Sequence, residues 1–535
     1  MNYEVSENCK SRILEVSTFE EILSLINNKH NLLVVKMNLS KEELDKILSL
    51  ENKKDLSDEL KFLIAHVYDT VLPAAKRDYE KSFNIYQLLL NGNYVPTYCK
   101  LGILYYAGYY VSQDKQKAIT YFEKGAAQGD SNAQRWMGLC YYLGEGVVCD
   151  YKQAVYWYEK SAKQGHADAL CDLSHCYGYG KGVKQDDQKS YKLCYLAAEQ
   201  GHAKAECMLG HYYETGKGVS KDIKQAVVWY KKAAEHDYAQ AQCRLGDCYI
   251  NGEEVVKNEI LAVHWYRKSA LQGFAKAQNS LGYCYQKGIG VPKNLEKAFY
   301  WFEKAAEQGR EKAEYNLGYC YQHGEGVKQD YNKAFYWYEK AAKHGNAKAQ
   351  CNLGYCYESG KGVAENLELA LYWYEKSALQ GFEIAQYNLG NCYTIGRGVK
   401  VDYKQAVHWY QKAANQGDAK AQCNLGNCYE KGRGVAKSFA RAMYWYQKSA
   451  LQEYPLACYN LGIMYESGKG VGKNYNEAYT WFQKAASLGV EEAVKVVAEY
   501  NQNKCEHCGS FYCFTEYKRS SVAPYLRCKH CGNRK

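Results

Sequence analysis

The chain has 535 residues, with 5 prolines, 45 glycines, 55 tyrosines and a formal charge of +10. This length allows several domains or one elongated array, and the scarcity of proline favours helix. No run of about 18 apolar residues occurs, which excludes a membrane-spanning helix. The mild excess of basic residues over so long a chain gives no argument that the whole chain binds nucleic acid.

The amino-terminal sequence MNYEVSENCKSRILEV lacks the basic start and apolar run of a signal peptide. We therefore expect a cytoplasmic or nuclear protein whose 23 cysteines are reduced thiols or metal ligands. Residues 1–57 are predicted to form a mostly helical accessory segment. It has one helix within residues 18–28, a short strand in NLLVVKM, and a second helix that begins at an N-cap, Ser40, with Glu43 at the third helical position.

The segment CNLGYCYESGKGV, residues 351–363, recurs along the chain every 36 residues. Eleven such units fill residues 94–489, between a degenerate copy at 58–93 and a capping helix at 490–500. Serine replaces the glycine of the Leu-Gly pair once, at Ser174. The other ten units keep it: Gly102, Gly138, Gly210, Gly246, Gly282, Gly318, Gly354, Gly390, Gly426 and Gly462. Self-similarity at this period predicts a solenoid, in which each unit buries its apolar face against its neighbours.

Each unit has the pattern of two helices. In the unit of residues 346–381, one apolar stripe at helical spacing precedes the glycines of GKG, and a second stripe containing Trp373 follows them. The glycines allow the chain to reverse with positive φ where needed, and Gly381 is expected to end the second helix in the left-handed conformation. Nine units carry tryptophan at the position of Trp373, which predicts a core position.

The residues A-x-A-x-x-x-L-G-x-x-Y-x-x-G-x-G-V, followed by A-x-x-W-Y-x-K-A-A-x-x-G, resemble the Sel1-like repeat, a relative of the tetratricopeptide repeat. The resemblance implies an all-α, right-handed solenoid of helix–turn–helix repeats that acts as an adaptor or scaffold. We therefore expect a non-enzymatic protein that holds a protein or peptide partner on its concave face. The repeat pattern does not specify an oligomeric state.

Two chemical interpretations of the repeated segment fail. A phosphate-binding loop needs Ser or Thr after its lysine and a strand before it, whereas Lys361 follows a helix and precedes glycine. Cys351 and Cys356 would point about 140° apart on one helix, which is unsuitable for chelating one ion. Cysteine recurs at the position of Cys356 in eight units, as expected of a packing position. These residues are Cys140, Cys176, Cys248, Cys284, Cys320, Cys356, Cys392 and Cys428.

Two further comparisons also argue against other chemistry. The disulfides of cysteine-rich bacterial Sel1-like proteins join opposite helices of a unit, an arrangement that this sequence lacks. The S-x-x-K match from Ser112 to Lys115 has no companion motif of the penicillin-recognising enzymes. We therefore predict no catalytic residues.

Asparagine precedes the Leu-Gly pair in five successive units, although it is a middling to poor helix former. An asparagine at this position resembles the ladder with which some tetratricopeptide superhelices hold an extended peptide backbone. A ladder predicts that these amides line the concave surface and have no internal partners. The alternative is a surface residue shared through recent duplication. The five residues are Asn316, Asn352, Asn388, Asn424 and Asn460.

The last segment, residues 501–535, departs from the repeat. Cys505, Cys508, Cys528 and Cys531 have the spacing C-x2-C-x19-C-x2-C, which suits one structural zinc ion with four thiolate ligands. FYCFTEY and PYLRC between the pairs predict a β-hairpin, so the tail resembles a zinc ribbon.

The tail is also basic, which leaves two interpretations open: contact with phosphates, or a solvated basic face. The alternative function is therefore a nucleic-acid-associated protein, in which the tail binds DNA or RNA and the solenoid recruits partners. The basic residues are Lys518, Arg519, Arg527, Lys529, Arg534 and Lys535.

Overall fold

The computed structural model describes residues 15–16, 21, 36–37, 39–53, 55–502, 511, 514–517 and 525–528. Contacts between Cα atoms divide the chain into two compact units. Unit 1 comprises residues 1–284 and 288–292, and unit 2 comprises residues 285–287 and 293–535.

The amino-terminal segment contains two short strands and one helix. Strands β1 (Glu15–Val16) and β2 (Lys36–Met37) pair in parallel, so β2 lies at the end of the predicted NLLVVKM strand. Helix α1 (Lys41–Leu48) begins as predicted, because the Ser40 hydroxyl accepts the Glu43 N–H at 3.2 Å. The helix predicted within residues 18–28 lies outside the described residues, except Glu21.

The part of unit 1 that precedes the repeats is helical. It contains α2 (Asp58–His66), a π-helical turn (Val67–Val71), a 3-10 turn (Ala74–Lys76) and α3 (Tyr79–Asn91). The helices of the repeats that follow are α4 (Pro96–Ala107), α5 (Lys115–Ala127), α6 (Ser131–Leu143), α7 (Tyr151–Lys163), α8 (Ala167–Tyr179), α9 (Asp187–Glu199), α10 (Ala203–Thr215), α11 (Ile223–Glu235), α12 (Ala239–Asn251) and α13 (Glu259–Leu271). Residues of α14 (Ala275–Lys287) belong to both units.

Unit 2 continues the same alternation of first and second helices, and a capping helix and a hairpin end it. Its helices are α15 (Leu295–Glu307), α16 (Glu311–His323), α17 (Tyr331–Lys343), α18 (Ala347–Ser359), α19 (Leu367–Leu379), α20 (Glu383–Ile395), α21 (Tyr403–Asn415), α22 (Ala419–Lys431), α23 (Phe439–Ala450), α24 (Pro455–Ser467), α25 (Tyr475–Ser487) and α26 (Glu491–Gln502). Strands β3 (Phe514–Tyr517) and β4 (Tyr525–Cys528) pair antiparallel. Within each unit, a helix packs chiefly on its neighbours in sequence, which makes each unit an all-α solenoid.

Local capping sets the helix boundaries in the repeat of residues 346–381. Asn346 caps α18, since its side chain accepts the Ala349 N–H at 2.9 Å. Gly360 ends α18 with φ +67°, a left-handed conformation that glycine adopts without steric cost. Asn366 then starts α19 by accepting the Leu369 N–H at 2.9 Å. Gly381, with φ +91°, follows the end of α19, as the sequence predicted.

The aromatic core is centred on a different residue from the one that the sequence indicated. Trp373 is half-buried, and only three tryptophans of its column are buried, Trp229, Trp409 and Trp445. The next residue, Tyr374, is 1% exposed and is the ring that fills the core of the repeat. Five others are half-buried and pack against the core, so the tryptophan column borders the core in most units and the tyrosine fills it: Trp157, Trp265, Trp337, Trp373 and Trp481.

The glycine of the Leu-Gly pair makes room for this ring. A Cβ atom on Gly354 would lie 2.7 Å from Cδ1 of Tyr374, closer than carbon atoms approach without strain. The one unit with serine here, at Ser174, is also the one whose ring position holds a small residue, Cys194. The glycine and the ring therefore form a matched pair.

The predicted packing role of the cysteines is confirmed. All eight members of the Cys356 column are buried, and the cysteines between residues 99 and 458 are free thiols. Burial raises the pKa of the Cys356 thiol to about 11, as expected for a thiol that packs as a small apolar group.

Candidate functional site

The five asparagines of the predicted ladder lie on successive first helices of unit 2. Each occupies the position before the buried leucine of the Leu-Gly pair, and each side chain is half-buried. Their helices are α16, α18, α20, α22 and α24. The column therefore lies on a half-exposed face of the first helices, and its placement on a concave surface stays a prediction.

The amides of the column have contacts within the protein. Asn388 Nδ2 lies 3.7 Å from Cys351 Sγ, and Asn460 Nδ2 lies 3.7 Å from Cys423 Sγ. Asn424 Nδ2 donates to Asn391 Oδ1 at 3.2 Å. Asn352 also hydrogen-bonds to the side chains of Tyr315 and Tyr338, and Asn316 has a partner as well. The expectation that the amides of the column have no internal partners was therefore wrong. The contacts of Asn388 and Asn460 use one of the two amide N–H groups, so the other N–H of each retains donor capacity.

A groove of about 430 Å³ opens on this face of unit 2, across the first helices α18, α20 and α22. Two residues of the predicted ladder, Asn388 and Asn424, line it. Two more asparagines one turn further along the same helices, Asn391 and Asn427, also line it. The structure thus brings four amides together, while Asn316, Asn352 and Asn460 lie outside the lining of this groove.

A hydrogen-bond network orders the floor of the groove. The Tyr410 hydroxyl donates to Asn391 Oδ1 at 2.7 Å and lies 3.0 Å from Thr394 Oγ1. Burial raises the pKa of Tyr410 to about 12, against the lowering effect of hydrogen bonds from Thr394 and Asn424. The phenol therefore stays neutral near pH 7 and holds the amide oxygen of Asn391, which leaves the Asn391 N–H groups as donors.

Three charged side chains line the groove, and the sequence analysis did not select any of them as a binding residue. Glu358 accepts hydrogen bonds from Arg397 Nη1 at 2.5 Å and from the Tyr374 hydroxyl at 2.7 Å. Arg433 lies over the ring of Tyr403, with 5.4 Å between the guanidinium carbon and the ring centroid. The sequence does contain a signal for the two arginines, because the residue between the two loop glycines is basic in four successive units. These residues are Lys361, Arg397, Arg433 and Lys469.

The predicted zinc ligands cannot be assembled from the described residues. Cys505, Cys508 and Cys531 lie outside them, and Cys528 is the last residue of β4, in register with Phe514. Within the described part of the chain, no three His, Cys, Asp or Glu side chains form a group that could hold a metal ion. No helix of that part is long and apolar enough to cross a membrane.

Comparison with known proteins identifies the repeats. The model of the Sel1 repeat matches eleven segments: residues 96–130, 131–166, 167–202, 203–238, 239–274, 275–309, 311–346, 347–382, 384–418, 419–454 and 455–490. Comparison with curated proteins gave no match.

Two solved structures also resemble the chain. A protective antigen present in uropathogenic Escherichia coli strains, which displays an SLR fold, is 36% identical, with a TM-score of 0.67. The match covers 79% of this chain and 91% of the antigen. A Sel1 repeat protein from Oxalobacter formigenes is 33% identical, with a TM-score of 0.45, over 58% of this chain and 89% of its own. Because repeat matches extend over most of its length and agree with its helix pairs, the chain belongs to the Sel1 repeat family.

Proposed function

We propose that the chain is a non-enzymatic adaptor that binds an extended segment of a protein partner along the asparagine face of unit 2. The observation that carries the proposal is the groove, in which four amides from two adjacent first helices line one cavity. An amide side chain both donates and accepts, so it can pair with a peptide backbone with little regard for sequence. Sel1 and tetratricopeptide-like proteins commonly act as interaction scaffolds, which supports the same assignment.

The first test removes three amides of the column together. We expect the Asn352→Ala, Asn388→Ala, Asn424→Ala variant to bind at least about tenfold more weakly, because each hydrogen bond contributes about 0.5–1.5 kcal/mol. Its free energy of unfolding should change by no more than about 1 kcal/mol, since alanine is the better helix former and offsets the lost internal contacts. Fluorescence anisotropy with a pool of acetylated, amidated decapeptides without proline measures the binding.

A matched control changes three exposed asparagines on second helices of the same unit, Asn332, Asn415 and Asn476, to alanine. This control should bind the peptide pool as the wild type does. A ladder variant that binds equally well would contradict the proposal, and one that unfolds would show that the column is structural.

We also propose that the tail is a zinc-stabilised second contact surface, with Cys505, Cys508, Cys528 and Cys531 as ligands. Four thiolates complete a tetrahedral site, which makes the ion structural rather than catalytic. Two described features support a folded tail: the β3–β4 pairing, and the buried ring of Phe511, whose centroid lies 4.5 Å from that of Tyr479 on α25. The free thiols between residues 99 and 458, nearly all of them buried, support a cytoplasmic location.

Metal analysis tests the tail. We expect one zinc ion per chain in the purified protein, and none after Cys528→Ser, because three thiolates leave the site incomplete. Cys356→Ser is the control, since this thiol is buried in the repeat core and should leave the zinc content unchanged. A Cys528→Ser variant that retains its zinc would show that this cysteine is not a ligand.

A further inference from the structure

The loop between the two helices of a repeat contacts the preceding repeat at a fixed sequence distance. Gln286 Nε2 donates to Glu325 Oε2 at 2.7 Å, and Arg397 donates to Glu358 at 2.5 Å. In each pair, the loop residue between the two glycines follows its partner by 39 residues. In these two repeats, a side chain at the end of the preceding first helix therefore bonds the loop residue.

Arg433 has no charged partner of this kind. The residue 39 positions before it is Thr394, whose hydroxyl is already bonded to Gly390 O at 2.8 Å and lies 3.0 Å from the Tyr410 hydroxyl. No carboxylate among the described residues lies within ion-pair distance of Arg433. Its guanidinium contacts the Tyr403 ring and faces the groove as an exposed, uncompensated cation.

The net charge of the groove lining indicates which kind of ligand group the groove would bind. Glu358 is the only carboxylate among the lining residues, and Arg397 already pairs with it, so Arg433 leaves an excess of one positive charge. The donors Asn391 and Asn427 line the same groove. Arginine binds a carboxylate with two parallel hydrogen bonds, which fixes the orientation of the bound group as well as its charge.

We infer that Arg433 selects partner segments that carry an acidic side chain. The carboxylate of that side chain pairs with Arg433 in the way that Glu358 pairs with Arg397. This inference rests on the proposed function, since it assigns the specificity of the same groove. The asparagines hold the backbone of the segment without regard for sequence, and Arg433 supplies the preference. An aspartate or glutamate of the partner, rather than its terminal carboxylate, is the group recognised.

The test compares two pools of acetylated, amidated decapeptides that are identical except for glutamate or glutamine at one central position. Blocked termini remove the terminal carboxylate, and a third pool with a free carboxyl terminus and central glutamine measures its contribution. We expect the wild type to bind the glutamate pool about tenfold more tightly than the glutamine pool, as for a charge-assisted hydrogen-bonded pair. The free-terminus pool should bind as the blocked glutamine pool does.

Two variants should abolish the preference in different ways. Arg433→Gln removes the cation, and Thr394→Glu supplies an internal carboxylate that copies the Glu358–Arg397 pair. Both should bind the two blocked pools equally, so the readout is the ratio of the two affinities and not the overall affinity of either variant. Lys361→Gln is the control, because Lys361 occupies the same loop position but lies outside the groove lining, with its Nζ 3.1 Å from the Tyr355 hydroxyl.

The outcomes separate the two proposals. Equal binding of both blocked pools by the wild type would overturn the role of Arg433 and leave the peptide-binding function standing. A preference that survives Arg433→Gln, or tighter binding of the free-terminus pool than of the glutamate pool, would also overturn that role. No binding of any pool would overturn the proposed function and this inference with it.

Discussion

Replacing His344 by alanine is expected to destabilise unit 2 by about 3 kcal/mol, because it removes the partner of a buried carboxylate. Glu314 is 0% exposed, its Oε2 lies 2.7 Å from His344 Nδ1, and its Oε1 has no partner. The histidine side chain is half-exposed, which moderates the loss because water can reach the vacated position. Urea denaturation followed by tryptophan fluorescence measures the change in the free energy of unfolding.

The neighbouring repeats supply the controls for this prediction. At the equivalent positions, Gln380 Nε2 donates to Gln350 Oε1 at 2.7 Å, so an uncharged pair fills the same site. Gln380→Ala should cost only about 1 kcal/mol, since it leaves no buried charge. The double variant Glu314→Gln, His344→Gln should recover stability to within about 1 kcal/mol of the wild type. A double variant as unstable as His344→Ala would contradict the charge argument.

The second prediction concerns the matched glycine and ring. Gly354→Ser is expected to destabilise unit 2 by about 2–3 kcal/mol, because the new Cβ would lie 2.7 Å from the buried ring of Tyr374 and force it to move. Tyr374→Cys alone should cost about 3–5 kcal/mol, since it leaves a cavity. Urea denaturation of the single and double variants tests whether the two changes compensate.

The double variant copies the natural pair of Ser174 and Cys194. We expect it to be more stable than the sum of the single effects by at least about 1 kcal/mol, the coupling typical of residues in direct contact. Additive losses would show that the glycine is retained for another reason, such as close packing of the helix backbones.

The repeat architecture could be predicted from the sequence because its determinants are local. The helix periodicity, the capping residues of the second helices and the left-handed glycines each act within a few residues, and the 36-residue period repeats them along the chain. The burial of the cysteine column followed from the same periodicity. The periodicity could not show which of two adjacent residues is the more deeply buried. Trp373 and Tyr374 both fit an apolar stripe, and only the packing against Gly354 makes the tyrosine the buried ring.

The candidate site was predictable only in part, for a related reason. The asparagine column is evident from the sequence because asparagine recurs there every 36 residues, and two of its members line the groove. The contacts of the amides, such as that of Asn424 with Asn391, join residues 33 positions apart, so they depend on how neighbouring repeats stack. Arg433 differs from Arg397 in having an uncharged residue, Thr394, 39 positions earlier, and a comparison of residues at this separation shows that difference.

Hydrogen bonds between successive repeats also constrain how the length of unit 2 can vary. Gln380 donates to Gly345 O at 3.0 Å, Gln416 to Gly381 O at 2.9 Å and Gln452 to Gly417 O at 2.9 Å, each across 35 residues. Removing or duplicating a whole 36-residue repeat would bring an equivalent glutamine to an equivalent carbonyl, whereas any other change in length would misalign every such bond at that junction. We therefore expect that unit 2 can be shortened or extended in whole repeats, so that the length of its asparagine face changes in steps of one repeat.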